Sequence, residues 1–340
     1  MGKVYNLVYL KYTIMTKEMD KKDWKLLYQL CQNARLSHNA IAKLIGTSKN
    51  SVTYRVNRLL ERKIISGFFT IVDVKPLGAV FYTMLIRMNA TVEKEKELID
   101  YLKANNNITI IDGLVGKWNY LVEFACKDPY KFFGFLTDLQ NRFSDIIDAY
   151  EVHPNLEVYK IEQLPVELME EKPISAAQTQ VKKERIELDQ TEIKLLSELN
   201  KDSTASLIKL GERLGITYKT VSTKIKKLQN DGVITKFSAS VNLETLGYEV
   251  YLILVDFKNL STQNSHNLKA HINRQKNIRA AFISYARPTL FIYLAVKKAT
   301  ELQKFLLELN TKFAPIIVDQ EYFLTSAQPK YDLFPDGVLQ

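Results

Sequence analysis

Cysteine is nearly absent from this chain. Cys31 and Cys126 are its only two in 340 residues, too few for a disulfide scaffold, and both fall on apolar faces of their predicted elements, the pattern of buried free thiols in a reducing cytoplasm. Histidine is scarce too. His38, His153, His266 and His271 have no neighbours with which to form an acid–base pair, so no catalytic residue is expected. The sequence contains no G-x-G-x-x-G, P-loop, H-E-x-x-H or C-x-x-C pattern, which leaves phosphate-loop and zinc chemistry without support; no cofactor and no metal are expected. No apolar run approaches the ~20 residues needed to cross a bilayer, so no membrane partner is expected either. Residues 4–15, VYNLVYLKYTIM, are interrupted by Lys11 and followed by no small-residue cleavage site. They read as an added strand or a start-site extension, not as a secretory signal.

What remains is a soluble, cytoplasmic, globular composition with 46% hydrophobic and 25% charged residues, and a net charge of +9 that suits a polyanionic partner. The chain also contains itself twice. Residues 19–78 lie on residues 188–247 at a constant offset of 169 with no gap, and 14 of the 60 paired positions are identical, against roughly 6% for unrelated chains. The same offset pairs Leu121 with Leu290, extending the duplication beyond the first segment.

The front of each unit reads as three short helices. Asp20 and Asp189 stand three residues before Asp23 and Glu192, a capping arrangement that marks a helix start. Ser37 and Ser206 open a second helix, which stops at Gly46 or Gly215; Ser48 and Thr217 then open a third, with Val52, Val56 and Leu59, or Val221, Ile225 and Leu228, facing inward. Helix, glycine-containing turn and helix form the helix-turn-helix unit. Projection of the third helix turns Asn50, Thr53, Tyr54, Asn57 and Arg58 toward solvent in unit one, with Lys49 beside them as a further candidate, and Lys219, Thr220, Thr223, Lys226 and Lys227 in unit two. Arg and Asn can bond guanine and adenine bidentately, whereas a lysine-rich set suits phosphate contact. Together with the cap hydroxyls of Ser37, Ser48 and Thr217 these residues form the candidate interface with double-stranded DNA. Arg55 and Lys224 fall beside the inward stripe, where they either support the fold or touch backbone phosphate. Residues 19–66 carry 10 basic and 3 acidic residues, a net +7; residues 188–235 carry 8 and 6, a net +2.

Beyond Gly78 and Gly247 the periodicity changes. Strands are expected at 81–88, 109–115, 120–126 and 147–152, with helices at 93–104 and 130–143; in unit two the strands are 248–257, 280–285, 290–296 and 316–323, and the helices 265–275 and 300–313. The order β-α-β-β-α-β is ferredoxin-like, a sheet with helices on one face and an apolar face that pairs with another copy. The fold class is therefore α+β: two tandem units, each a winged, trihelical helix-turn-helix domain (19–66 and 188–235) followed by a hinge (67–79 and 236–247) and a ferredoxin-like domain (80–163 and 248–327). An extension (1–18), a polar linker (164–187) and a tail (328–340) complete the chain. A linker coil on the order of 25 to 30 Å permits pairing within one chain or between two.

Asp20 with Lys25, Leu26 and Leu27, Arg35-x-Ser37, Ile41-Ala42, Gly46-x-Ser48, Val52-x-x-Arg55-Val56-x-x-Leu59 and Ile64-Ile65-x-Gly67 resemble the Lrp/AsnC family of prokaryotic transcription regulators. Asp189, Lys194 to Leu196, Gly215-x-Thr217, Val221-x-x-Lys224-Ile225-x-x-Leu228 and Gly232-Val233-Ile234 repeat that pattern, so the chain resembles a tandem fusion of two family units. The resemblance implies back-to-back pairing of the ferredoxin-like (RAM) domains and an amino acid or related small molecule as effector. The family's effector segment corresponds to Gly116, Lys117, Trp118, Asn119 and Tyr120, with amide in place of acid; in unit two the same offset gives Tyr285 to Thr289, without the glycine or the acid. Gly116, Trp118, Asn119 and Tyr120 are the candidate effector contacts, the other reading being a strand-connecting turn with packed aromatics. Two alternatives use the same chemistry or fold. Siroheme decarboxylases are similar, but their H-x-Y-N-like segment is met here by Trp118-Asn119-Tyr120 without the histidine. An architectural protein coating DNA with little sequence preference would suit the lysine-rich second unit.

Overall fold

The computed structural model describes residues 19–165, 185–258 and 260–339. The expected extension at 1–18 lies outside them, as does most of the expected linker. From its start the first unit runs α1 (Lys21–Gln32), α2 (His38–Ile45), α3 (Lys49–Glu61), β1 (Ile65–Val72), β2 (Val80–Met88), α4 (Val92–Ala104), β3 (Ile108–Val115), β4 (Tyr120–Cys126), α5 (Pro129–Phe143) and β5 (Ile147–Ile161). The second runs α6 (Gln190–Lys201), α7 (Leu207–Leu214), α8 (Tyr218–Asn230), β6 (Ile234–Val241), β7 (Glu249–Phe257), α9 (Thr262–Arg274), β8 (Ile278–Ser284), β9 (Leu290–Val296), α10 (Ala299–Phe313) and β10 (Ile317–Thr325), followed by β11 (Lys330–Tyr331) and α11 (Asp336–Leu339). Both units are thus trihelical domains followed by β-α-β-β-α-β domains, the α+β fold class expected.

The helix ends follow local chemistry. Asp20 accepts from the amides of Lys22 and Asp23 while Asp23 accepts from the Asp20 amide, and Asp189 with Glu192 repeats this reciprocal cap. α2 and α7 stop at Gly46 and Gly215, both at φ 67°, a left-handed conformation in which a side chain is strained.

The two units are joined through one closed ring of strands. β5, β2, β4 and β3 form the sheet of unit one, and β10, β7, β9 and β8 that of unit two; β5 then pairs antiparallel with β8, and the end of β10 pairs with β3. The RAM domains therefore pair within one chain. β5 runs to Ile161, well past the expected end at residue 152, because its second half leaves β2 and joins β8. Strand signals are weak around His153 and Pro154, and the partner that makes this segment a strand is about 125 residues away in sequence.

The trihelical domains pack crosswise. The hinge strands β1 and β6 pair with each other, Phe68 opposite Ala239. The helices of unit one share a core with Ala239, Val241, Leu243, Leu246 and Tyr248 of unit two, while those of unit two share one with Val72, Val74, Leu77 and Ala79 of unit one. The Ala34 amide donates to the Phe237 carbonyl at 3.0 Å, and its counterpart, the Ser203 amide, donates to Phe68 at 3.2 Å. These two bonds obey the offset of 169.

The offset does not hold further on. Ile86 pairs with Tyr120 and Val255 with Leu290, so Tyr120, not Leu121, is the counterpart of Leu290. Three residues separate β2 from α4 but four separate β7 from α9, and that one insertion shifts the later equivalence to 170. Because side chains alternate along a strand, a slip of one residue exchanges the faces: Leu121 points between the sheets and Leu290 toward the helices.

The sheet faces that meet are not both apolar. Between Leu85, Leu121, Leu252, Phe282, Phe291 and Phe323, unit one also buries Thr83, Asp112, Glu123 and His153. The structurally equivalent positions in unit two are Leu252, Phe282, Tyr293 and Phe323. Asp112 accepts at 2.8 Å from both the Tyr293 hydroxyl and the Gln328 amide, a link from one unit to the other. Burial, with the charge of Asp112 added, pushes Glu123 up to about 8, and burial pushes His153 down to about 4. Asp112, Tyr293 and Tyr331 are the titratable groups that interact with Glu123. A carboxyl whose folded pKa exceeds its ordinary value near 4.5 holds its proton more tightly when folded. Its contribution to stability is complete below that ordinary value and is lost as pH rises through about 8. The urea midpoint should therefore fall between about pH 5 and 8, and Glu123→Gln should make that decline much shallower; an identical pH profile in the variant would show that Glu123 is not the group responsible.

Candidate nucleic-acid interface

The third helix of each unit is held by the cap of the first. Arg55, beside the exposed stripe of α3, donates from Nη1 to Asp20 at 2.8 Å and to Asp23 Oδ1 at 2.6 Å, and Arg58 Nη2 donates to the other oxygen of Asp23. Asp23 is fully buried. In unit two Lys224 Nζ lies 2.6 Å from Asp189 and 3.7 Å from Glu192, and Lys227 Nζ lies 2.7 Å from Glu192, itself 1% exposed. Hydrogen bonding to Lys224 holds the Asp189 carboxyl below its ordinary range. One acid with two bases therefore couples first and third helices in both units, and the pair of types changes together: aspartate with two arginines, glutamate with two lysines. A longer acid accompanies bases that present one nitrogen instead of a fork.

This clasp is not apparent in the sequence alone. Asp23 and Glu192 are legible there only as helix caps, although their joint change with positions 55, 58, 224 and 227 between the repeats was a usable signal. Arg55 and Lys224 accordingly tie the third helix of each unit to the first. Arg58 and Lys227, expected to face outward, spend a cationic group on a buried carboxylate, though Lys227 remains exposed along its stem. Arg35 is another residue whose role only the structure gives: its Nη1 donates to the Ser203 and Ala205 carbonyls of unit two at 2.6 and 3.0 Å.

The remaining candidates lie along the third helices or at the caps of the second and third. Lys49, Asn50, Tyr54 and Asn57 are exposed on α3, and the Asn50 and Asn57 side chains have no hydrogen-bond partner among the described residues. Thr53 is half-buried, its hydroxyl 2.8 Å from His38 Nδ1. On α8, Lys219, Thr220, Thr223 and Lys226 are exposed. Ser37, Ser48 and Thr217 accept from the amides of Ala40, Ser51 and Thr220 at 3.1 to 3.2 Å, so each hydroxyl caps its helix.

The candidate effector residues are committed to the fold. Trp118 is 2% exposed and packs between the sheets; the Asn119 side chain accepts from the Met88 amide at 2.7 Å, and the Tyr120 hydroxyl donates to Glu95. Gly116 has φ 143°, and a Cβ there would stand 2.9 Å from the Phe323 ring. With the equivalence shifted to 170, Thr289 is the counterpart of Asn119: both amides donate to the first strand of their RAM domain, to Ile86 of β2 at 2.8 Å and to Val255 of β7 at 3.0 Å. The segment matching Gly116 to Tyr120 is Ala286 to Leu290, not Tyr285 to Thr289.

A model of winged helix-turn-helix DNA-binding domains matches residues 19–66 and again 188–235. An uncharacterized HTH-type transcriptional regulator of Pyrococcus furiosus is 28% identical over 149 residues, covering 44% of this chain and 96% of that protein. The leucine-responsive regulatory protein of Rhizobium meliloti is 29% identical over 127 residues, covering 36% of this chain and 80% of that one. Each aligns with about one unit, as a duplicated chain requires. The crystal structure of the siroheme decarboxylase NirDL superimposes with a TM-score of 0.61, covering 92% of this chain and 96% of that one at 12% identity, a likeness of fold. No helix among the described residues is long and apolar enough to cross a membrane. Two winged helix-turn-helix DNA-binding domains, regulators that align along the length of a unit, and the duplicated architecture make this chain similar to the Lrp/AsnC helix-turn-helix transcription regulators.

Proposed function

We propose that the chain regulates transcription by setting α3 and α8 into one DNA duplex, with unit one reading bases and unit two holding backbone. The observation that carries this is the difference between two equivalent helix faces: exposed Asn50, Tyr54 and Asn57 on α3 stand where α8 presents Lys219, Thr223 and Lys226. Asparagine offers a paired donor and acceptor to adenine, whereas lysine is a point charge for phosphate. A symmetric dimer meets two equal half-sites; two unlike helices fixed in one chain do not require them. Selection of bound duplexes from a random pool should return one defined half-motif beside a degenerate one. A clean palindrome with equal information in both halves would defeat the division of labour, and failure to enrich any sequence would favour an architectural role.

An amino acid or related small molecule remains the effector class proposed from family resemblance. Trp118 and Tyr120 are held inside the fold, so a ligand approaching this segment would meet Lys117, exposed beside Glu321 of the other unit at 3.4 Å.

A further inference from the structure

Tyr54 is 66% exposed, more than any other large apolar or aromatic side chain in the described trihelical domains. An aromatic ring left in water at the middle of a reading helix has no use in the core. Nor is it loosely held. The Arg58 guanidinium lies 5.9 Å from the ring centroid, Arg58 is bonded to Asp23, and Asp23 is fixed by the Asp20 amide at 3.0 Å and by Arg55 at 2.6 Å. The ring thus rests on a cation that is itself anchored to a buried acid. Unit two keeps the acid and the cation, Glu192 and Lys227, but has Thr223 in place of the aromatic. The clasp alone is accounted for by the fold, since both units have it; the ring placed upon it is particular to unit one.

Asn50 and Asn57 flank Tyr54 along one helix stripe, so the ring stands among the side chains that face base edges. The only apolar group on a base edge in the major groove is the thymine C5 methyl. We propose that Tyr54 is a specificity-determining residue that packs against a thymine methyl in the unit-one half-site, and that Asp23 and Arg58 are its positioning residues. This rests on the DNA-binding reading and assigns it a base.

The test uses the full chain and duplexes in which thymines of the selected site are replaced one at a time by deoxyuridine, which lacks only the methyl. At one position in the unit-one half-site the parent should bind uracil roughly 4-fold more weakly than thymine, the worth of about one buried methyl group. Tyr54→Ala should bind the two equally, and Tyr54→Phe should keep the ratio. Asp23→Asn should bring the ratio toward one; should that variant fail to fold, Arg58→Lys, which retains an ion pair but loses the planar group under the ring, should lower it. A simple loss of stability would weaken binding to both duplexes without changing their ratio. Duplex binding with no thymine position sensitive to uracil, or a full ratio in Tyr54→Ala, would overturn the assignment while leaving DNA binding intact. A full ratio in folded Arg58→Lys would overturn the positioning role, and no binding to any duplex would overturn the DNA-binding reading and this one together.

Discussion

Either unit expressed alone, cut within residues 164–186, should be unable to persist as a folded monomer. Separation removes the partner of the hinge strand, opens β3 and the second half of β5 as unpaired edges, and strips each trihelical domain of its floor. For unit one the loss of Val241, Leu243, Leu246 and Tyr248 from its helical core costs on the order of 6 kcal/mol, comparable with the whole stability of an ordinary domain. The exposed faces are nearly self-complementary because the units are homologous. A separated unit should therefore run as a symmetric dimer or aggregate in light scattering, and mixing the two should restore a one-to-one pair with a higher melting temperature than either. Unit two is better suited to self-pairing than unit one, since a unit-one dimer would bring Asp112 and Glu123 of two copies together between the sheets. A monodisperse, cooperatively melting monomer would show that the ring is not needed for folding.

Duplex binding by the whole chain should collapse as salt is added. If about six phosphates are engaged by the two helix faces and their flanks, affinity should fall about 1,000-fold between 50 and 200 mM salt, because each neutralised phosphate releases counterions. Lys226→Ala should reduce the slope of log affinity against log salt by about one and leave the urea midpoint unchanged, since its ammonium is exposed and has no carboxylate partner among the described residues. Lys227→Ala should lower the midpoint as well, because Glu192 is buried and loses the nearer of its two cations. Equal behaviour of the two variants would contradict the distinction drawn between a phosphate contact and a clasp.

The helices, their caps and most strands were legible in the sequence because the causes are local. A cap bonds residues two or three positions on, a left-handed glycine stops its own helix, and alternation or a three-to-four spacing lies within one element. Hence Asp20, Ser37, Gly46 and Ser48, with their counterparts, marked the trihelical domains correctly, and the duplication was visible as a run without gaps. The candidate DNA-facing surface is legible in part. Asn50, Tyr54, Asn57, Lys219 and Lys226 are exposed as helical projection places them, but the same projection put Arg58 outward, blind to a carboxylate 35 residues earlier that draws it down.

Other features belong to tertiary structure alone. The pairing of RAM domains within one chain, the extension of β5 into a foreign sheet and the crosswise seating of the helices all depend on partners more than a hundred residues away, which no window of sequence contains. The exchange of faces between Leu121 and Leu290 came from one residue in a surface loop, invisible to an offset that still matched leucine with leucine. The polar row Thr83, Asp112, Glu123 and His153 is hidden in the sequence because each lies singly on its own strand, among apolar neighbours that define a core. Strand pairing alone brings such residues side by side, and only the closing of the ring, by excluding water from both sheet faces at once, buries all four and shifts the protonation of Asp112, Glu123 and His153.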